Sequence, residues 1–189
     1  MAEPSPHLDY IQERLGTKVL AARQAQGDDV LLLAATGLRE SFRILKEDPK
    51  LAFDFLSDIT AVDYWNKKEP RYEVVYQLVS LHQRSRLRVR VPVSESDAAV
   101  ESLTPLWPGA NFLEREVWDL FGIGFSDHPD LRRILLYEEF KGHPLRKDYP
   151  INQWQPLVPE RQVDGTFVDE RSRNKLLQLK HSLRQKAKA

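Results

Sequence analysis

Two runs, "RYEVVYQLVSL" (residues 71–81) and "RLRVRVPV" (86–93), are separated by four residues. In the second, Leu87, Val89, Val91 and Val93 alternate with Arg86, Arg88 and Arg90. A period of two sends successive side chains to opposite faces, so this run predicts a strand with one apolar and one basic face. The first run is rich in β-branched and aromatic residues and predicts a neighbouring strand. A sheet with one apolar face needs something to cover it, and the flanking sequence supplies the cover.

Upstream, "FDFLSDITAVDYW" (53–65) is open between helix and strand, with Ile59, Thr60 and Val62 favouring a strand in its latter half. "SPHLDYIQERLG" (5–16) offers Ser5 as an N-cap and Pro6 at the first helical position. Leu8, Ile11 and Leu15 then share one stripe, which predicts a first helix. "KVLAARQAQGDDVLLLAAT" (18–36) reads as two apolar runs about Gln26, Gly27 and Asp28, a hairpin. Leu38, Phe42 and Leu45 follow Gly37 at helical spacing and stop at Asp48-Pro49, because proline disfavours a helical residue before it. The fold class is therefore α+β: a small sheet of four to five strands with helices packed on one face, spanning residues 1–107.

Beyond Pro108 the pattern changes. A helix over about 109–121 gathers Ala110, Leu113, Val117, Trp118, Leu120 and Phe121 into an apolar arc, with Glu114 inside it. Arg115, Glu116 and Asp119 fall on the other side together with Phe112, and Gly122 and Gly124 close the helix. Residues 108–150 thus form a motif region of helix and loops. Prolines at 144, 150, 156 and 159 exclude a long helix or central strand, so an extended, proline-containing segment follows, lying on its own domain or on a partner. The tail, 151–189, ends in a basic run with Leu176, Leu179 and Leu183 at helical spacing.

Composition excludes several chemistries. The 189 residues suffice to bury about 70% of the unfolded surface in a core. Lys and Arg number 28, as do Asp and Glu, so no whole-molecule field favours nucleic acid or an acidic membrane. The longest uncharged apolar stretch, 30–36, is far short of a bilayer span. The start, "MAEPSPHLDY", has neither a signal-peptide nor a transit-peptide pattern, so a bacterial-type cytosol is expected. There is no cysteine, which removes disulfides, thiol nucleophiles and thiolate-held zinc or iron-sulfur clusters.

The densest chemistry is in "EREVWDLFGIGFSDHPDLRRILL" (114–136) and "GHPLRKDYP" (142–150). His128 and His143 are fifteen positions apart with no HExxH pattern, which argues against zinc. Glu114 in an apolar arc has the setting of a raised-pKa acid, yet a carboxylate entering a packed face more often finds an arginine, here Arg132, Arg133 or Arg146. Asp127 or His128, Pro129 and Asp130 suggest the capped start of a short helix rather than a catalytic dyad, since no nucleophile motif accompanies them. "FGIGF" lacks the third glycine and the lysine of phosphate loops. The basic strand and tail raise an RNA-binding reading, but the strands lack an aromatic-glycine RNA signature. No catalytic, cofactor-binding or metal-ligating residue is expected.

The order Glu114-Arg115-Glu116, Asp119-Leu120-Phe121-Gly122-Ile123, His128-Pro129-Asp130-Leu131-Arg132-Arg133-Ile134-Leu135 and Gly142-His143-Pro144-Leu145-Arg146-Lys147-Asp148-Tyr149-Pro150 closely resembles the family of the C subunit, the thirty-kilodalton subunit, of respiratory NADH:quinone oxidoreductase, complex I. Similarity extends through "DITAVDYW" (58–65), "YEVVYQLVSL" (72–81) and "LWPGANF" (106–112), so the resemblance covers about 17–150. It implies a small α/β domain and an extended C-terminal portion embracing the D subunit. It implies a peripheral-arm subunit beside the quinone-reducing subunits B and D, with FMN, iron-sulfur clusters and quinone in partner subunits and none here. Membrane association would be indirect, on the cytoplasmic side of the bacterial plasma membrane, with no nucleic acid bound. Hydrogenase-type complexes carry similar subunits, which leaves the electron donor open. On this reading Glu114 forms a structural ion pair with Arg132, Arg133 or Arg146. Phe112, Arg115, Glu116, Asp119, His128, Asp130, His143, Arg146, Lys147, Asp148 and Tyr149 present contacts to a partner.

Overall fold

The computed structural model describes residues 6–155. Its first helix, α1 (Pro6–Leu15), begins at the proline, where a missing N–H is tolerated, and buries Leu8, Ile11 and Leu15. One 3-10 turn leads into β1 (Val19–Ala25) and β2 (Asp28–Leu33), joined by Gln26 (φ 55°) and Gly27 (φ 87°). Two central residues at positive φ make the turn whose twist matches paired strands, so the hairpin follows from local chemistry. Helix α2 (Leu38–Glu47) starts after Gly37 and ends at Asp48, with Leu38, Phe42 and Leu45 buried. The ambiguous run becomes a full strand, β3 (Phe55–Asp63), followed by β4 (Tyr72–Ser80) and β5 (Ser85–Val93).

The five strands lie in the order β1-β2-β5-β4-β3, with β2 and β5 parallel and the other pairs antiparallel. Register sets the faces. Val89 lies beside Tyr76 and Leu31, and all three are buried under the helices. One position along, Arg88 lies beside Gln77 and Val30 on the opposite face. The helices cover only the first face; Phe42 of α2 packs on Tyr76 with ring centroids 4.8 Å apart and meets Trp107 edge-on.

A second, two-stranded parallel sheet pairs β6 (Ala99–Glu101) with β7 (Gly124–Ser126) on either side of α3 (Ala110–Phe121). Strands of three residues carry no readable period, and neither was expected. The helix expected at 127–130 does not form. Asp127 takes a positive φ of 60°, and the Asp130 N–H folds back to His128 Nδ1 at 3.0 Å, so the proline follows a turn rather than opening a helix. From there to residue 155 the chain runs without helix or strand; in place of the extended course expected there, it is a succession of turns closed by bonds such as Arg146 N–H to the His143 carbonyl and Tyr149 N–H to the Arg146 carbonyl. The Ser5 cap and the basic C-terminal helix lie outside the described residues.

Candidate functional site

The last carbonyls of a helix have no partner within it, and its C-terminal end is the negative pole of its dipole. In α3 the "GHPLR" run supplies the partners. His143 Nδ1 donates to the Asp119 carbonyl (2.9 Å) and the Leu145 N–H to that of Leu120 (3.0 Å). Arg146 reaches the next two carbonyls, with Nε on Phe121 (2.5 Å) and Nη2 on Gly122 (3.3 Å). Four successive carbonyls are thereby met by one segment. Because a carbonyl only accepts, His143 is the Nδ1–H tautomer. Burial holds its pKa below the usual histidine value, opposed by the Asp119 carbonyl and reinforced by Arg146 and Arg133. Gly122, at φ 73°, allows the approach: a Cβ there would sit 2.6 Å from the His143 ring.

Asp119 is the second fastening, and it corrects the expectation of a solvated face. It is fully buried, because residues 133–136 wrap over it. One oxygen accepts from Arg133 Nη1 (2.6 Å); the other accepts from the N–H groups of Ile134 (3.1 Å), Leu135 (2.9 Å) and Leu136 (2.9 Å). Burial alone would raise the Asp119 pKa, but these donors hold it below the usual aspartate value. Arg133 also donates to the Phe140 and Gly142 carbonyls at 2.9 and 3.2 Å and lies over the Trp118 and Phe140 rings. Arg115 donates to the carbonyls of Arg132 and Arg133, both at 3.1 Å.

Glu114 corrects a second expectation. It is wholly buried, but its partners are not Arg132, Arg133 or Arg146. It accepts from the Leu103 N–H (2.6 Å), Ser102 Oγ (2.7 Å) and Thr104 Oγ1 (3.4 Å), so it holds the 102–104 turn. The arginines go elsewhere for a geometric reason. Arg133 and Arg146 come from loops at the C-terminal end of α3, where Asp119 and the free carbonyls are, while Glu114 faces the turn beneath the N-terminal half. Arg132 is exposed and pairs with Asp130 at 2.9 Å. His128 Nε2 lies 3.9 Å from Glu114 Oε2 and 3.2 Å from the Asn111 carbonyl. Burial raises the Glu114 pKa, and the three donors offset it only in part.

A third fastening was not legible as a site. Asp63 at the end of β3 and Arg71 before β4 are both buried and form a two-point ion pair at 2.9 and 2.8 Å. Arg71 then reaches Asp148 (2.7 Å) and Glu95 (2.5 Å), and the Lys147 N–H donates to Asp63 (2.8 Å). Asp63 lifts the Arg71 pKa, and Arg71 in turn holds that of Asp148 down. Opposite charges at facing ends of two antiparallel apolar strands were the available signal.

The structure therefore brings Arg115, Asp119, His143, Arg146, Lys147 and Asp148 into contacts within the chain itself. Asp119 and the His128 side chain are enclosed, so neither can meet a partner directly, which corrects that part of the expected contact set. Tyr149 stacks on Phe140 at 6.1 Å. Phe112, Glu116 and Asp130 face solvent, as do Leu135, Leu145, Ile151 and Trp154. Among the described residues no three His, Asp or Glu side chains converge as a metal site, and no helix is long and apolar enough to cross a membrane.

Comparison with known proteins gives consistent matches. The family described as "Respiratory-chain NADH dehydrogenase, 30 Kd subunit" matches residues 31–155. The C subunit of the NADH-quinone oxidoreductase of Trichlorobacter lovleyi is 43% identical over 151 residues, covering 80% of this chain and 92% of that protein. That of a Roseiflexus species is 44% identical over 144 residues, covering 76% and 82%. Among solved structures, a trypsin-resistant fragment of Nqo5 is 38% identical with a TM-score of 0.58, covering 66% of this chain and 99% of the fragment. A chain of an archaeal membrane-bound sulfane sulfur reductase shares the fold, with a TM-score of 0.65 at 24% identity over 77% of this chain and 84% of that one.

Proposed function

Because the chain belongs to the 30 kDa subunit family of respiratory-chain NADH dehydrogenase, as the C subunit of the NADH:quinone oxidoreductases, we propose that it acts as a cofactor-free scaffold of the quinone-reducing module, beside subunits B and D. Its partners are other subunits of that complex. FMN, iron-sulfur clusters and quinone would be held by those partners, and the isolated chain would have no turnover. It would reach the cytoplasmic face of the membrane only through the complex. The single observation supporting a scaffolding role is the use made of the charged motif. Asp119, Arg133, His143, Arg146, Arg71 and Asp148 fix one irregular, turn-rich segment to the domain, and that segment offers large apolar side chains to solvent: Leu135 at 60%, Ile151 at 100% and Trp154 at 95% exposure. Such side chains anchor protein interfaces when a rigid backbone presents them.

The test is mild detergent extraction of membranes carrying a tagged copy of the full chain. Subunits B and D should co-purify with it, and Arg146→Ala should lower the yield of complex before it lowers quinone reduction per complex. Normal complex yield with quinone reduction abolished would mean that Arg146 serves the reaction and not assembly. A tagged chain found alone in the soluble fraction would overturn the reading altogether.

A further inference from the structure

The His128 side chain is fully buried, and its ring nitrogens do opposite things. Nδ1 accepts the Asp130 N–H at 3.0 Å, so it carries a lone pair, and the proton of the neutral ring sits on Nε2, 3.2 Å from the Asn111 carbonyl. One uncharged ring therefore ties the turn after β7 to the first turn of α3. Glu114 is the next acceptor, with Oε2 at 3.9 Å from Nε2. That oxygen also accepts from Ser102 Oγ (2.7 Å) and, more loosely, from Thr104 Oγ1 (3.4 Å). Other charges stand around the pair. Arg39 of α2 donates to the Ser102 carbonyl at 3.0 Å and to Asp127 at 3.1 Å, and its backbone N–H goes to Glu101 at 2.9 Å. Burial and the Glu114 charge push the pKa of Tyr76 on β4 well up, so that phenol stays neutral, and the Asp130 carboxylate pairs with Arg132.

We infer that His128 is a proton-sensitive fastening at the root of the 131–155 segment: on taking a proton from solvent, it exchanges its bond to the Asp130 N–H for an ion pair with Glu114. The reason lies in the count of donors. An imidazolium carries a hydrogen on each nitrogen, so a protonated Nδ1 meets the Asp130 N–H donor to donor and that bond is lost. Nε2–H, already close to Glu114, gains a charged partner, and a charge-assisted bond is stronger than a neutral one. Glu114 supplies the countercharge that a buried imidazolium needs. Its Oε2 is drawn away from Thr104, the most distant of its three donors, so the change reaches the 102–104 turn as well. What opens is the Asp130 N–H, immediately before the segment that presents Leu135 to solvent. The device belongs to this chain alone and does not depend on which subunits it meets.

The experiment follows imidazole and amide nitrogen resonances of the full chain by NMR from about pH 8 to about pH 5, the range in which histidine titrates. At the upper end His128 should show the Nε2–H tautomer. As it gains a proton the Asp130 amide should shift in step, and its protection, corrected for the pH dependence of intrinsic exchange, should fall about fivefold. His128→Asn keeps an acceptor near the Nδ1 position and has no proton to gain, so Asp130 protection should become independent of pH. Glu114→Gln keeps an acceptor for the Leu103 N–H but removes the countercharge, so the Asp130 change should set in at lower pH. An Nδ1–H tautomer at the upper end, constant Asp130 protection in the parent, a pH dependence that survives in His128→Asn, or an onset that Glu114→Gln leaves in place or raises would each overturn the inference. If His128→Asn does not fold, the parent and Glu114→Gln decide. Co-purification of other subunits enters none of these readings, so their failure leaves the scaffolding role standing.

Discussion

Replacing Asp119 by alanine tests whether one buried carboxylate organises the motif region. The substitution leaves Arg133, 15% exposed at its side chain, without its ion-pair partner, and removes the acceptor from three consecutive backbone N–H groups. Removing one member of a buried pair costs about 3 to 5 kcal/mol. The lower end applies, because Arg133 keeps the Phe140 and Gly142 carbonyls. Against a typical domain stability of about 5 to 15 kcal/mol, a loss of about 3 kcal/mol is readily measured. The reverse substitution, Arg133→Ala, is predicted to be milder, about 1 to 2 kcal/mol, since Asp119 would keep its three N–H donors. Urea unfolding of both single variants and the double variant, at pH 7 with the denaturant slope checked for constancy, gives each cost and the coupling. If Arg133→Ala costs as much as Asp119→Ala, or if Asp119→Ala lies within about 0.5 kcal/mol of the parent, the backbone N–H groups do not depend on Asp119 and the reasoning fails.

Three other substitutions probe the same contacts. Gly122→Ala forces a Cβ into the left-handed region, costing about 1 to 2 kcal/mol, and displaces His143 and Arg146 from the carbonyls they cap; faster amide exchange in the last turn of α3 would report it, and unchanged exchange would contradict it. Glu114→Gln keeps an acceptor for the Leu103 N–H while removing a charge whose ionisation burial disfavours, so at pH 7 its thermal midpoint should equal or exceed the parent's. The raised Glu114 pKa means its contribution is full below the unfolded value of 4.5 and lost as pH rises through the folded one, so the parent should overtake the Gln variant only in acid. His143 works in the opposite direction. Its folded pKa lies below 6.5, so its contribution is full above pH 6.5 and lost as pH falls, and the urea midpoint gap between the parent and His143→Ala should narrow from pH 7.5 to pH 5.

Much of the architecture was written locally. The alternation in β5, the Gln26-Gly27 turn and the stripe Leu38, Phe42, Leu45 each fix a conformation from neighbouring residues alone, and all three were legible. The run at 53–65 was legible as a strand only in its latter half, through Ile59, Thr60 and Val62, because its other apolar residues suit either period; pairing with β4 over the whole of β3 decided the rest. The three-residue strands β6 and β7 carry too few residues for any period to show, and they exist because α3 returns the chain beside Ala99.

At the motif, residue order alone established which charged groups were present, the family they resemble, and that Glu114 would enter a packed face. Which charge met which was left to the folded chain. Helical spacing put Asp119 on the polar side of α3, yet Arg133 and residues 134–136 fold over it and bury it. Glu114 went to a turn instead of an arginine, and Arg71 found Asp148 across 77 positions. Periodicity reports how one helix or strand divides between core and solvent, whereas an ion pair needs two atoms within about 3 Å, a distance set by how separate elements pack.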